Sequence, residues 1–205
     1  DAIAAGAVKN EAQAAEILLF LKFDGAFVRR GFPNPTGLFS PIISFSATNC
    51  PAPSLSALQI QEIVNLVADD FSPFNIVVTT DQGLFNSYPS GNKQICIITT
   101  LPSVVGMSSG TGGVAPFSGL GIRLPFNPSF VFATLYGGDA AAIAGVISHE
   151  SAHTMGLGHQ HQFGSGCNYL IEYHNAVGTG PLSFAPIMGQ VEQGRVTNWF
   201  AQSCF

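Results

Sequence analysis

Charge is what this chain has least of. Only 9% of its 205 residues are Asp, Glu, Lys or Arg, against ~25% in an ordinary soluble domain. Seven Lys and Arg, scattered along the sequence, face twelve Asp and Glu, a net charge of −5. With no basic patch, that balance argues against nucleic acid or an anionic membrane as partner. Long apolar runs are also missing, since no segment approaches the ~20 residues of a spanning helix. Cysteine is sparse: Cys50, Cys96, Cys167 and Cys204 form no C-x-x-C pair, which argues against a thiolate metal site. There are no internal repeats. The chain opens at Asp1 with neither an initiator Met nor a signal-peptide layout, and reads as a mature or trimmed form.

What is present fits one packed domain. Residues of hydrophobic type make up 46% of the chain and Phe alone numbers 17, enough for a sizeable core at this length. With so little charge, the surface must be built from Ser, Thr, Asn, Gln and Gly, a composition common outside the cell. A secreted, extracellular or periplasmic location is therefore expected, and with it two disulfides. Four cysteines allow three pairings. Cys50–Cys96 with Cys167–Cys204 is the favoured one, and free buried thiols are the alternative.

The pattern predicts an α+β fold: a twisted sheet backed by two long helices, with regular structure fading into a small irregular C-terminal part. Residues 1–15 are Ala-rich, a short helix or loose arm. Ile17–Phe23 reads as a strand stopped by Asp24-Gly25, and residues 26–53 as loop or edge structure. Ser54 or Ser56 can cap a helix to about Phe71, with Leu58, Ile60, Ile63, Val64 and Val67 at helical spacing. Asn75–Thr80, Gln94–Thr100 and Ser129–Leu135 read as strands. Asp139 caps a second long helix, and Val196–Gln202 reads as a closing helix. The whole chain, 1–205, is expected to be a single domain, with a larger part over about 1–156 and a smaller one over about 157–205.

Histidine is rare and clustered: four of the five lie between His149 and His161. The run from His149 to His159 spells H-E-x-x-H-x-x-G-x-x-H. Residues four apart on a helix share a face, so His149 and His153 can reach one ion at the ~2.0–2.1 Å of a zinc–imidazole bond. Glu150 is rotated about 100° away, off the metal but within reach of a water beside it, as a general base requires. Gly156 can leave the helix in the left-handed conformation and bring His159 back as a third ligand. Three protein ligands leave a position open, the mark of a catalytic zinc rather than a structural one.

The motif resembles the zinc signature of the metzincin metallopeptidases, which pairs it with a downstream methionine in a tight turn. Met188, in Ala185-Pro186-Ile187-Met188-Gly189, matches that element; the resemblance implies a hydrophobic floor to the site, not a ligand. Weaker likeness in 71–81, 113–115 and 130–133, to small secreted bacterial-type members, extends the resemblance over residues 17 to 200. The zinc motif and the methionine turn carry it, and it implies a zincin-type fold with a twisted, mostly parallel sheet and an antiparallel edge strand. It implies a zinc endopeptidase in which His149, His153 and His159 hold one Zn2+, Glu150 is the general base, and an extended peptide pairs with an edge strand, here Gly113, Val114 and Ala115. Two departures stand out. Gln190 occupies the position two after the methionine, where astacin- and serralysin-like members carry Tyr. Gln160 follows the third His and assigns no subfamily.

Other polar residues have plainer readings. His161 reads as a surface residue or support to the site, and His174 as structural. Asp69, Asp70 and Asp81 could serve Ca2+ but lack EF-hand spacing, so helix ends and turns suit them better. Gly112-Gly113 lacks the Lys of a phosphate-binding loop. The expected partner is a protein or peptide substrate, with the chain a monomer. A binding module retaining the fold, or a zinc hydrolase of a non-peptide bond, are the competing readings; Glu150 speaks against the first, since a purely structural metal needs no base.

Overall fold

The computed structural model describes residues 17–28, 47–117, 128–178, 183–191 and 196–199. Five strands form the central sheet: β1 (Ile17–Lys22), β4 (Ile76–Thr79), β5 (Lys93–Thr99), β6 (Gly113–Val114) and β7 (Ser129–Phe132), in the order β4-β1-β5-β7-β6. All neighbours are parallel except β6, which runs antiparallel to β7 at the edge. This is the expected α+β architecture. Its inner strands are continuous apolar runs because a parallel sheet is covered on both faces.

Two long helices lie against one face. α1 (Ala57–Phe71) begins with a capping box in which the Gln59 N–H donates to Ser56 Oγ at 3.2 Å and the Ser56 N–H donates to Gln59 Oε1 at 2.9 Å. α3 (Ala140–Thr154) begins at Asp139, whose carboxylate accepts from the N–H groups of Ala141 and Ala142 at 3.1 and 3.2 Å. Strand alternation sorts the core. Leu19, Leu21, Cys96, Ile98 and Val131 face α1 and α3, packing with Ile63, Val67, Phe71, Ile143 and Ile147. Ile97, Phe130 and Phe132 form a second cluster with Val105, Val114 and Cys50. α3 is buried along nearly its whole length, so it carries no polar stripe.

That sorting corrects the first disulfide. Cys50 and Cys96 are buried free thiols. They belong to clusters on opposite faces of the sheet, since Cys50 packs with Ile97 while Cys96, one residue earlier on β5, points toward the helices. Burial pushes their thiols up to about 11 and about 12 respectively, so neither is reactive. Cys167 is disulfide-bonded; Cys204 lies outside the described residues, as do residues 1–15.

β2 (Ala26–Val28) and β3 (Thr48–Cys50), within the stretch read as loop or edge structure, form an antiparallel pair. Two further elements were not anticipated. α2 (Gln82–Ser87) is capped by Asp81, which accepts from Gly83 and Leu84 at 2.7 and 3.2 Å. β8 (Gln162–Phe163) and β9 (Tyr169–Ile171) make a hairpin. The closing helix expected at 196–202 is not formed in its described part. Val196–Asn198 is instead a strand, β11, parallel to β10 (Phe184–Pro186). Side-chain anchors hold it extended: Thr197 Oγ1 donates to the Asp70 carboxylate at 2.6 Å, and the Trp199 indole N–H donates to the Asp70 carbonyl. No helix among the described residues is long and apolar enough to cross a membrane.

Candidate metal centre

The last two turns of α3 present His149 and His153 on one face, both buried. The helix then ends in a Schellman arrangement: the Leu157 N–H donates to the Ala152 carbonyl at 3.1 Å and the Gly156 N–H to that of His153 at 3.0 Å. Gly156 has φ +96°, which suits glycine alone without strain. The same turn aims the Leu157 carbonyl back at the His153 ring and delivers His159 to the site.

Three imidazoles converge. His153 Nε2 lies 3.1 Å from His149 Nε2 and 3.1 Å from His159 Nε2. Each ring is fixed at its other nitrogen: His149 Nδ1 donates to the Ile187 carbonyl at 2.7 Å, His153 Nδ1 to the Leu157 carbonyl at 2.7 Å, and His159 Nδ1 approaches Glu172 Oε1 at 2.8 Å. Carbonyl oxygens can only accept, so His149 and His153 carry their protons on Nδ1. Burial, and then the neighbouring imidazole, pushes His149 down to about 3; burial likewise pushes His153 down to about 4, and His159 is lowered too. Neutral rings protonated at Nδ1 expose bare Nε2 lone pairs to one another. Three such lone pairs repel unless a cation sits among them, and their spacing suits the edge of a tetrahedron with ~2.0–2.1 Å bonds. The three histidines fit a metal ion.

Glu150, next to His149 on α3, lines a cavity of about 420 Å³ together with His149, Gly110–Gly113, Tyr136, Tyr173 and Gln190. Burial pushes its carboxyl up to about 8 in the metal-free protein. Gly113, first residue of the edge strand, lies directly against it: a Cβ there would meet Glu150 Cγ at 2.6 Å. Val114 and Ala115 are buried, leaving Gly113 as the part of that candidate strand that faces the cavity.

Met188 sits in a turn closed by the Gly189 N–H donating to the Pro186 carbonyl at 2.9 Å. Its side chain is buried against Ala152 of α3 and Ile187. The turn is pinned on both sides, by His149 at Ile187 and by the Gln160 N–H donating to the Met188 carbonyl at 2.6 Å. Gln190 lines the cavity. His161 and His174 stay outside the cluster, bonded through Nδ1 to the carbonyls of Glu172 and Asn175. Two of the three aspartates are committed elsewhere: Asp81 caps α2, and Asp70 accepts from Ser148 and Thr197. Among the described residues the three histidines are the only group placed to hold a metal.

Glu172 and Tyr173 were not singled out by sequence. Tyr173 packs on the His159 ring with centroids 4.2 Å apart. No spacing rule links them to a histidine a dozen residues earlier; only the β8–β9 hairpin returns them to it.

Comparison with protein-family models, curated proteins and solved structures finds no match to this chain. The metzincin resemblance therefore rests on the motif and the methionine turn.

Proposed function

We propose that the protein is a secreted zinc endopeptidase. The observation that carries this reading is the convergence of three bare imidazole nitrogens beside one buried glutamate that opens into a cavity. His149, His153 and His159 are the proposed zinc ligands. Zinc bound there supplies Lewis acidity, polarising a carbonyl oxygen and bringing the pKa of water from 15.7 toward ~7. Glu150 accepts the proton of the attacking water and returns it to the leaving amine. Its buried setting, which favours the protonated form, suits the second half of that cycle. An extended peptide would lie along the edge at Gly113, because among the described residues β6 is the outermost strand of the sheet and pairs only with β7. Secretion is supported by the low charge and the oxidised Cys167.

A peptide-library digest with and without chelator tests the reading. The expected result is cleavage that chelator abolishes, zinc restores, and Glu150→Ala lowers by at least 10²-fold. Metal-replete protein that turns over an ester but no peptide would point to a non-peptide hydrolase. Binding without turnover would point to a recognition module.

A further inference from the structure

The third imidazole is held differently from the other two. His149 and His153 give their Nδ1 protons to main-chain carbonyls fixed by turns, whereas His159 faces the carboxylate of Glu172 at 2.8 Å. The His159 side chain is only 6% exposed and that of Glu172 is 52% exposed. The negative charge therefore sits on the solvent side of a covered ligand. Tyr173 closes one face of the same ring.

The segment bearing both residues is stitched into place. The His174 N–H donates to the Gln160 carbonyl at 2.7 Å, and the Gln190 N–H donates to the His174 carbonyl at 2.9 Å. His161 adds a bond from Nδ1 to the Glu172 carbonyl at 2.8 Å. Loop, hairpin and methionine turn thus fix where the Glu172 carboxylate stands.

We propose that Glu172 is a positioning residue for the metal centre, its carboxylate locking His159 with Nε2 turned toward His149 and His153 and making that imidazole the strongest donor of the three. An anion accepting from Nδ1–H draws the ring's electron density toward Nε2 more than a neutral carbonyl does. His159 also follows the end of α3, so it lacks the helix backbone that orients the other two ligands. The proposal rests on the metal-binding reading of the three histidines and not on peptide cleavage.

The test is a zinc titration of the full chain against a competing chelator, for wild type, Glu172→Gln and Glu172→Ala. Zinc affinity should fall 10- to 100-fold in Glu172→Ala. It should fall less in Glu172→Gln, whose amide oxygen still accepts from Nδ1–H without the charge. The ring N–H resonance of His159 should move in Glu172→Gln while those of His149 and His153 stay. Metal-free melting temperatures should match wild type, because the Glu172 side chain is half exposed and leaves no buried cavity when truncated. Equal zinc affinity in all three proteins overturns the proposal, as does an affinity loss matched by a loss of metal-free stability. Wild type that binds zinc tightly but cleaves nothing overturns the endopeptidase reading alone; wild type that binds no zinc overturns both.

Discussion

Gly113 and Glu150 are in direct contact across the cavity, the backbone of the edge strand against the carboxyl arm of the helix. A Cβ built on Gly113 would stand 2.6 Å from Glu150 Cγ and 2.7 Å from Oε1, closer than any carbon tolerates. Alanine at 113 must therefore displace the proposed general base. An error of ~1 Å in such a group is worth about 10²-fold in rate. Gly113→Ala should lose peptide cleavage to that degree while zinc content stays at the wild-type level, since the atoms nearest to a Cβ there all belong to Glu150. Full activity in the variant would remove Gly113 from the site.

The metal-free protein should have a stability maximum near pH 6.5. Burial raises Glu150 to about 8 in the fold, so between its unfolded value of ~4.3 and pH 8 the folded state holds an extra proton and stability falls as pH rises. His149 and His153, lowered to about 3 and about 4, act in the other direction. Below ~6.5 the unfolded chain takes up protons that the fold refuses, and stability falls with acid. From pH 6.5 to 8 the Glu150 contribution amounts to about 2 kcal/mol. Denaturant unfolding of metal-free Glu150→Gln should lose that alkaline decline and keep the acid one; an unchanged alkaline slope would refute the assignment.

Much of this arrangement is legible in the sequence, for local reasons. Ser56 and Asp139 announce the two long helices because a cap is a contact between near neighbours. His149, His153 and Gly156 act through the geometry of one helix and its end. What the sequence hides is set by distant partners. Val196-Thr197-Asn198 has no helix or strand signature strong enough to decide, and Asp70, far back in the chain, holds it as a strand. Cys50 and Cys96 suggest a bridge by count, yet the alternation of β5 turns Cys96 away from the face where Cys50 lies. Glu172 reaches His159 only through the hairpin.

Zinc should stabilise the fold through all three histidines. A ligand bound only by the native state adds about 4 kcal/mol at 1,000 times its Kd. Calorimetry with excess zinc should show a large rise in melting temperature for wild type. The rise should vanish in His153→Ala, whose Nε2 lies between the other two at 3.1 Å from each. His161→Ala should keep it, because that ring is tied to the Glu172 carbonyl outside the cluster. A rise of wild-type size in His153→Ala would mean that zinc binds elsewhere.

Asp70 should be a keystone between the helices and the C-terminal strand. Its carboxylate accepts from Ser148 Oγ at 2.7 Å on α3 and from Thr197 Oγ1 at 2.6 Å on β11. Ser148 is fully buried, so losing its acceptor strands a hydroxyl, at roughly 1–3 kcal/mol. Asp70→Ala should accordingly destabilise the protein by about 3 kcal/mol in denaturant titration. Asp70→Asn should be milder. Burial raises the Asp70 carboxyl above its ordinary value, so the fold holds it protonated more readily than the unfolded chain does, and its ionisation costs stability as pH rises past ~4. The neutral amide escapes that cost and still offers one acceptor oxygen. The gap between the two variants should therefore be the same at acid and neutral pH, since neither alanine nor asparagine titrates. Alanine and asparagine variants of equal stability would show that the hydroxyl bonds contribute nothing.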